Sequence, residues 1–172
     1  DGDGVGGLLR RSSDSIAVLL ACSKVSATYV PLATEYPAPR LYQIAKTADA
    51  RVVVYERSLV HELESAFASV RLDDLEVREA YASPLVKVSP DTSASGLGDP
   101  RVGGVILSSS GSTGTPKLIR RSESSFQHRL DWTWATMPYE AQEVCCAKSH
   151  VTTTHCLYET LEPLLWAGTE GP

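Results

Sequence analysis

Short apolar stretches at regular intervals predict the strands of a sheet in the first third of the chain. The stretches VGGLLRR, TYVPL and RVVVY begin at Val5, Thr28 and Arg51, and each is rich in apolar or β-branched residues. Pro31 cannot donate a ladder hydrogen bond, so we expect the second strand to lie at an edge or a bend of the sheet.

Segments with helical spacing separate these strands. The stretch SIAVLLACSKV follows the capping residues 12–14 and is apolar nearly all round, as expected of a helix that packs on a sheet. Two prolines suited to a helix N-terminus precede a second helix, whose apolar face is formed by Leu41, Ile44, Ala45 and Ala48. A weaker helical pattern covers residues 57–82.

The second half of the chain continues the alternation. GVILS at 104–108 predicts a buried strand, and EVCCAK at 143–148 predicts another. Ser122 can cap the helix between them, which has an apolar stripe at Phe126, Leu130, Trp134 and Met137. A last helix over CLYETLEPLLWAG is bent or begun at Pro163. The alternation predicts an α/β fold with a mostly parallel sheet flanked by helices, whose ligands bind at the carboxyl ends of the strands.

Composition and charge narrow the class of protein. A length of 172 residues favours one domain, and a net charge of −5 argues against a general affinity for nucleic acid. No apolar run approaches the length of a membrane span, and free cysteines without a secretion signal favour the cytoplasm. The glycine-rich start and the open end lead us to expect a single incomplete domain over residues 1–172, with an internal linker at 84–103.

Cysteine and histidine are clustered near the end of the chain. The residues Cys145, Cys146, His150, His155 and Cys156 could be interpreted as a metal site, but their spacing matches no zinc motif. We predict instead that Cys145 and Cys146 are small buried apolar residues of a strand, and that the chain holds no metal of its own.

The segment SSSGSTGTPK, which begins at Ser108, directly follows the predicted strand GVILS. Gly111 and Gly114 can adopt the positive φ that turns successive backbone amides toward one point and forms an anion nest. Lys117 adds a positive charge, and the loop hydroxyls add hydrogen-bond donors. Together these groups predict a cradle for a phosphate or pyrophosphate.

Two common phosphate-binding motifs do not fit this loop. In a Walker A loop the lysine directly follows a glycine, whereas Lys117 follows Pro116, and no Rossmann G-x-G-x-x-G is present. A serine- and glycine-rich composition is also typical of a flexible linker. The strand directly before the loop and the ordered ending T-G-T-P-K favour the phosphate loop.

The loop resembles the signature of the adenylate-forming, AMP-producing ligases, Y/F-T-S-G-S/T-T-G-x-P-K-G. Ser109 replaces the threonine of that signature, and Leu118 replaces its last glycine. The stretch KVSATYVPLATEYPAPRL, which begins at Lys24, is similar to K-A-G-A-A-Y-V-P-L-D-P-x-Y-P-x-x-R-L of the amino-acid-activating domains of nonribosomal peptide synthetases. Residues 128–139 are similar to a helix of β-alanine-activating members of the same group.

This resemblance implies the N-terminal part of an enzyme that binds ATP, Mg²⁺ and an amino acid or small carboxylic acid. The acid becomes an acyl-adenylate with release of pyrophosphate, and then passes to an amine or to the phosphopantetheine thiol of a carrier domain in the same protein. In the family, the signature loop contacts the β- and γ-phosphates of ATP. The resemblance therefore implies that the matching residues of this chain make those contacts: Ser109, Ser110, Gly111, Ser112, Thr113, Gly114 and Lys117. We expect this chain alone to be inactive, because the family supplies the adenine, ribose and metal contacts from later motifs.

One residue departs from the amino-acid-activating pattern. Those domains carry the motif F-D-x-S, in which the aspartate holds the ammonium group of the substrate. In the corresponding stretch TTTHCLYE, His155 stands at the position of that aspartate. A histidine cannot pair with an ammonium as a carboxylate does. His155 is therefore our candidate for substrate binding, with a helix-start residue that touches no substrate as the alternative. It also leaves open an acyl-CoA synthetase, or a non-catalytic relative that binds a nucleotide or a partner.

Overall fold

A six-stranded sheet forms the centre of the molecule. In a computed structural model, residues 3–67, 76–79, 103–109, 116–140 and 142–166 are described, 76–79 by their backbone alone. The strands are β1 (Gly4–Leu8), β2 (Thr28–Pro31), β3 (Ala50–Tyr55), β4 (Glu76–Glu79), β5 (Gly104–Ser109) and β6 (Lys117–Arg121). Their order is β4-β3-β1-β2-β5-β6, and every neighbouring pair is parallel except β5 with β6. The α/β class and the mostly parallel sheet are therefore confirmed.

Helices cover both faces of this sheet. They are α1 (Ser13–Lys24), α2 (Ala38–Thr47), α3 (Val60–Phe67), α4 (Glu123–Thr136) and α5 (Thr154–Trp166), and a 3-10 turn precedes α3. One core lies between the sheet and α2 and α3, and it includes Val30, Ile44 and Val53, none of which has measurable exposure. A second core joins α1, α4 and α5 to Tyr29 and Leu107 on the opposite face. Adjacent strand residues point to opposite faces, so Tyr29 and Val30 belong to different cores.

The ends of two helices follow from local side-chain and backbone chemistry. The Ser122 hydroxyl accepts a hydrogen bond from the backbone amide of Ser125 at 3.3 Å, which confirms the predicted cap of α4. At the end of α1, Ser26 adopts a φ of 56°, and its amide bonds to the carbonyl of Ser23 at 3.1 Å. The amide of Ala27 bonds to the carbonyl of Cys22 at 2.9 Å, which completes a Schellman motif.

Two predictions about strands are wrong, and a third, that β2 lies at an edge or a bend of the sheet, is wrong for the edge. β2 lies between β1 and β5, not at an edge; Pro31 is tolerated because β2 pairs with β5 only at Thr28 and Tyr29. Residues 76–79, inside the segment predicted as helical, form β4 beside β3. The predicted strand at 143–148 is irregular, and Val144 is 94% exposed. The predicted linker, apart from Gly103, lies outside the described residues.

Candidate functional site

The parallel strands end on one side of the sheet, which we call the carboxyl edge. β5 ends there at Ser109, and the antiparallel β6 begins there at Lys117. These two residues are register partners, and the Ser109 hydroxyl donates a hydrogen bond to the Lys117 carbonyl oxygen at 3.3 Å. The predicted phosphate loop therefore starts and ends at one paired position of the carboxyl edge.

Only the two ends of that loop can be described. Ser109 is half-buried and Lys117 is exposed, so the lysine side chain is accessible to a ligand. The residues Ser110, Gly111, Ser112, Thr113 and Gly114 lie outside the described residues, and their contact with phosphate stays a prediction.

His155 lies on a different element from the loop. It is the second residue of α5, and its side chain is exposed. The hydroxyl of Thr153 accepts a hydrogen bond from the Cys156 amide at 3.4 Å, which caps α5. The same hydroxyl donates to the His150 carbonyl at 2.8 Å, so a closed turn from His150 leads into the helix. His155 thus starts a helix, as the alternative interpretation requires, and its exposure also leaves it open to a substrate.

Residues 147–150, which we call the tethered segment, are held by two oppositely charged side chains. The Arg11 guanidinium, just beyond β1, donates to the backbone carbonyls of Ala147 and Ser149. The Glu159 carboxylate, on α5, accepts hydrogen bonds from the amides of Lys148 at 2.9 Å and Ser149 at 2.8 Å, and from the Ser149 hydroxyl at 2.5 Å. The Ser149 hydroxyl and amide hold the pKa of Glu159 below its usual value, so this carboxylate stays ionised at neutral pH.

A third contact ties the tethered segment to the turn between β2 and α2. His150 Nε2 donates to the Glu35 carboxylate, and Nδ1 accepts from the Thr152 amide at 3.3 Å. The imidazole also stacks on Tyr36, with the ring centroids 5.8 Å apart. The pKa of Glu35 lies below its usual value, first because of its own backbone amide and then because of His150.

A cavity of about 360 Å³ lies beside the tethered segment at the carboxyl edge. Arginine and lysine side chains give it more positive than negative charge. Its lining residues are Leu9, Arg10, Arg11, Thr34, Glu35, Lys148, His150 and Val151. Ser109, Lys117 and His155, the predicted site residues that the structure describes, are not among them, so the structure does not bring these three together in this cavity.

Sequence reasoning missed the residues that organise this edge. Arg11, Glu35 and Glu159 were not predicted to have a role, and His150 was considered only as a metal ligand. An acidic residue near the start of a helix and an arginine after a strand are common features, so no sequence signal distinguished them. Cys145 and Cys146 are free and exposed, contrary to the prediction that they are buried in a strand. Within the described residues, no three His, Cys, Asp or Glu side chains are grouped to hold a metal ion.

The buried polar contacts between α4 and α5 hold these helices together. Glu162 accepts hydrogen bonds from the hydroxyls of Thr133 at 3.0 Å and Tyr139 at 3.3 Å. Burial, together with the neighbouring Glu162 carboxylate, raises the pKa of Tyr139 to about 12, so the phenol remains a donor. Arg129 lies 3.6 Å from the same carboxylate and compensates its charge.

The sheet and its two helical layers have the fold of the N-terminal part of an adenylation domain. The Vibrio cholerae adenylation domain AlmE, solved in complex with glycyl-adenosine-5′-phosphate, superposes with a TM-score of 0.74 over 95% of this chain and 34% of its own, at 16% identity. The nonribosomal peptide synthetase FmoA3, in an AMPPNP-bound form, gives a TM-score of 0.71 over 95% of this chain and 16% of its own, also at 16% identity. The sequence profile of the AMP-binding enzymes matches residues 1–171, and the chain belongs to that family.

Sequence relatives agree with this assignment and confirm the predicted resemblance. The Drosophila melanogaster beta-alanyl-bioamine nonribosomal peptide synthetase ebony is 29% identical over 170 residues, which cover 96% of this chain and 19% of that protein. The Aspergillus fumigatus nonribosomal peptide synthetase sidE is 39% identical over 123 residues, which cover 69% of this chain and 5% of that protein. The chain thus spans less than a fifth of these relatives. No helix in the described ranges is both long and apolar enough to cross a membrane.

Proposed function

We propose that the chain supplies the phosphate-binding loop of an ATP-dependent enzyme that activates an amino acid or small carboxylic acid. A carboxylate oxygen of the acid attacks the α-phosphorus of ATP, and the bond from that phosphorus to the bridging oxygen of the β-phosphate breaks. The products are an acyl-adenylate and pyrophosphate. One observation supports this proposal: Ser109 and Lys117, at the two ends of the loop, are paired and hydrogen-bonded to each other at the carboxyl edge.

In this proposal, the loop amides and hydroxyls bind the departing phosphates as their charge grows. Backbone donors that are already oriented stabilise such charge without reorganisation. The contact set is Ser109, Ser110, Gly111, Ser112, Thr113, Gly114 and Lys117. Mg²⁺ would neutralise the phosphate oxygens of ATP when bound, and its protein ligands would lie outside the described residues. The exposed ammonium of Lys117 adds a charge next to the loop.

In this proposal the acid is an amino acid, with β-alanine as the first candidate. His155 is the candidate residue for binding this acid. The name of the Drosophila relative and the similarity of residues 128–139 support β-alanine. The acyl group would pass to an amine or to the phosphopantetheine thiol of a carrier domain in the same protein. Four free cysteines agree with a reducing compartment such as the cytoplasm.

Two other functions rest on particular residues. His155, in place of an ammonium-binding aspartate, favours an acyl-CoA synthetase that takes an acid without an amino group. Leu118, in place of the signature glycine, favours a relative that binds a nucleotide or a partner without chemistry.

Exchange of labelled pyrophosphate into ATP by the intact protein that contains this chain separates these functions. Exchange with β-alanine or another amino acid supports the first, exchange with fatty acids alone supports the second, and none with any acid supports the third. The variant Lys117→Ala should slow exchange by about tenfold or more, as expected for loss of one charge contact to phosphate. The control Lys24→Ala removes an exposed lysine at the end of α1 and should leave the rate unchanged. An unchanged rate in Lys117→Ala would remove our role for that lysine.

A further inference from the structure

The tethered segment is irregular, yet its backbone is bonded on both its carbonyl and its amide groups. The described residues contain no strand that pairs with it, and its backbone groups are hydrogen-bonded by side chains instead. Arg11 binds the carbonyls of Ala147 and Ser149, while Glu159 binds the amides of Lys148 and Ser149. Backbone groups away from a sheet need such partners or water, so these two side chains determine the path of the segment.

The two side chains are anchored in packed parts of the fold. Arg11 follows β1, whose last residue Leu8 is fully buried in the first core. Glu159 lies between Leu157 and Leu161, both of which are buried in the second core. The position of the tethered segment is therefore fixed relative to the sheet and to α5 at once.

His155 and Glu159 are four residues apart on α5, so their side chains emerge from the same face of the helix. Because Glu159 binds Lys148 and Ser149, the tethered segment is bonded to the same face of α5 from which His155 emerges. The closed turn from His150 to Thr153 then leads directly to that histidine. A displacement of the segment would change both the start of α5 and the space beside His155.

We propose that Arg11 and Glu159 are positioning residues for acid selection, and that they act by holding residues 147–150 beside His155. This proposal rests on the proposed function, because it takes the acid to bind on the His155 side and the nucleotide phosphates at the loop. Loss of either side chain should then weaken binding of the acid and leave binding of ATP nearly unchanged. A residue that served only the stability of the fold would not separate the two substrates in this way.

Steady-state pyrophosphate exchange with the intact protein and its best acid tests this separation. In Glu159→Gln the KM for the acid should rise by about tenfold, as expected when a charged hydrogen-bond acceptor is lost, while the KM for ATP changes by less than about twofold. Arg11→Gln should behave in the same way, and Arg11→Lys should recover part of the loss because it keeps the charge but not the two-pronged geometry.

Glu56→Gln is the matched control. Glu56 also lies at the carboxyl edge and also has a serine hydroxyl, that of Ser58, as the main cause of its lowered pKa. It bonds to Arg10 at 2.7 Å and not to the tethered segment, so neither KM should change. Equal increases of both KM values in Glu159→Gln, or no change in either, would overturn the proposal.

Hydrogen exchange separates a failure of this proposal from a failure of the proposed function. The backbone amides of Lys148 and Ser149 should exchange about tenfold faster in Glu159→Gln, with the amide of Val53 in the sheet as an unchanged reference. If these amides do not respond, the tethering is absent and the proposal fails whatever the activity. If none of the tested acids supports pyrophosphate exchange by the wild-type protein, the proposed function fails. The positioning role then fails with it, even where the amides respond.

Discussion

The carbonyl oxygen of Arg121 lies so close to Gly104 that a Cβ at position 104 would come within 2.1 Å of it. Gly104 also has a φ of +89°, which side chains rarely adopt. This close approach lies at the end of the β5–β6 pair opposite the candidate phosphate loop. We expect Gly104→Ala to lower the free energy of unfolding by about 3 kcal/mol or more, measured by urea denaturation.

The neighbouring glycine separates steric overlap from backbone strain. Gly103 has a similar φ of +84°, but a Cβ there would meet its nearest atoms at 3.5 Å, an ordinary contact distance. Gly103→Ala should therefore lower the free energy of unfolding by only about 1 kcal/mol, the cost of holding a non-glycine residue at this φ. Equal losses in the two variants would show that the approach of Arg121 is unimportant.

The left-handed conformation of Ser26 gives a prediction of increased stability. Ser26 occupies the position of the Schellman motif that favours glycine, and the family stretch K-A-G-A-A-Y carries glycine there. Ser26→Gly should raise the free energy of unfolding by about 1 kcal/mol, because glycine adopts this φ without a Cβ penalty. Ser26→Ala keeps the Cβ and should bring no such gain; a gain of the same size in both would contradict the explanation.

The four cysteines should differ widely in their rates of alkylation. Cys145 and Cys146 are exposed, whereas Cys22 is only 4% exposed and burial raises its pKa to about 11. The thiolate is the reacting form, so iodoacetamide at pH 8 should label Cys145 and Cys146 first. Cys156 should follow slowly, since partial burial raises its pKa. Peptide mass spectrometry over time measures the order, and early labelling of Cys22 would contradict it.

Acid should weaken the tethered segment before it unfolds the cores. The pKa of Glu159 is lower in the folded chain than its ordinary value of 4.5, so its contribution to stability is fully present above that value. The contribution is lost as the pH falls from 4.5 through the lower folded pKa. Unfolding by urea at a series of pH values should show a shallower acid loss in Glu159→Gln than in the wild type. Identical slopes would mean that the carboxylate is not stabilised by Ser149.

Much of the fold can be predicted from apolar periodicity, because burial imposes it. Ile44 and Leu41 repeat on one face of α2, and both are buried as predicted. Phe126 and Leu130 are buried on α4, whereas Met137 at the end of the same stripe is 55% exposed, because the helix ends at Thr136. Pro163 lies inside α5, which begins at Thr154, so it does not start the helix.

The failures occur where pairing, not local pattern, decides the structure. EVCCAK has strand-like residues, but a strand needs a neighbour. No strand among the residues that the structure describes pairs with it, and side chains bind its last residues instead. The segment KLIRR was not predicted as a strand, yet it forms β6 because β5 offers a partner in register. The strand before the phosphate loop was correctly predicted. The contacts of Arg11, Glu35 and Glu159 were not, because each joins residues ten or more positions apart that no local pattern brings together.

A few side chains determine the course of residues 147–150, and no strand in the described part of the chain pairs with them. This part of the molecule can therefore change its shape by substitution of one amino acid at a time. The two cores beneath it need not be rebuilt when that happens. Under the proposed function, descendants of this protein could acquire a different preference among acids at small cost to folding, which is how a large group of enzymes with one scaffold and many substrates would arise.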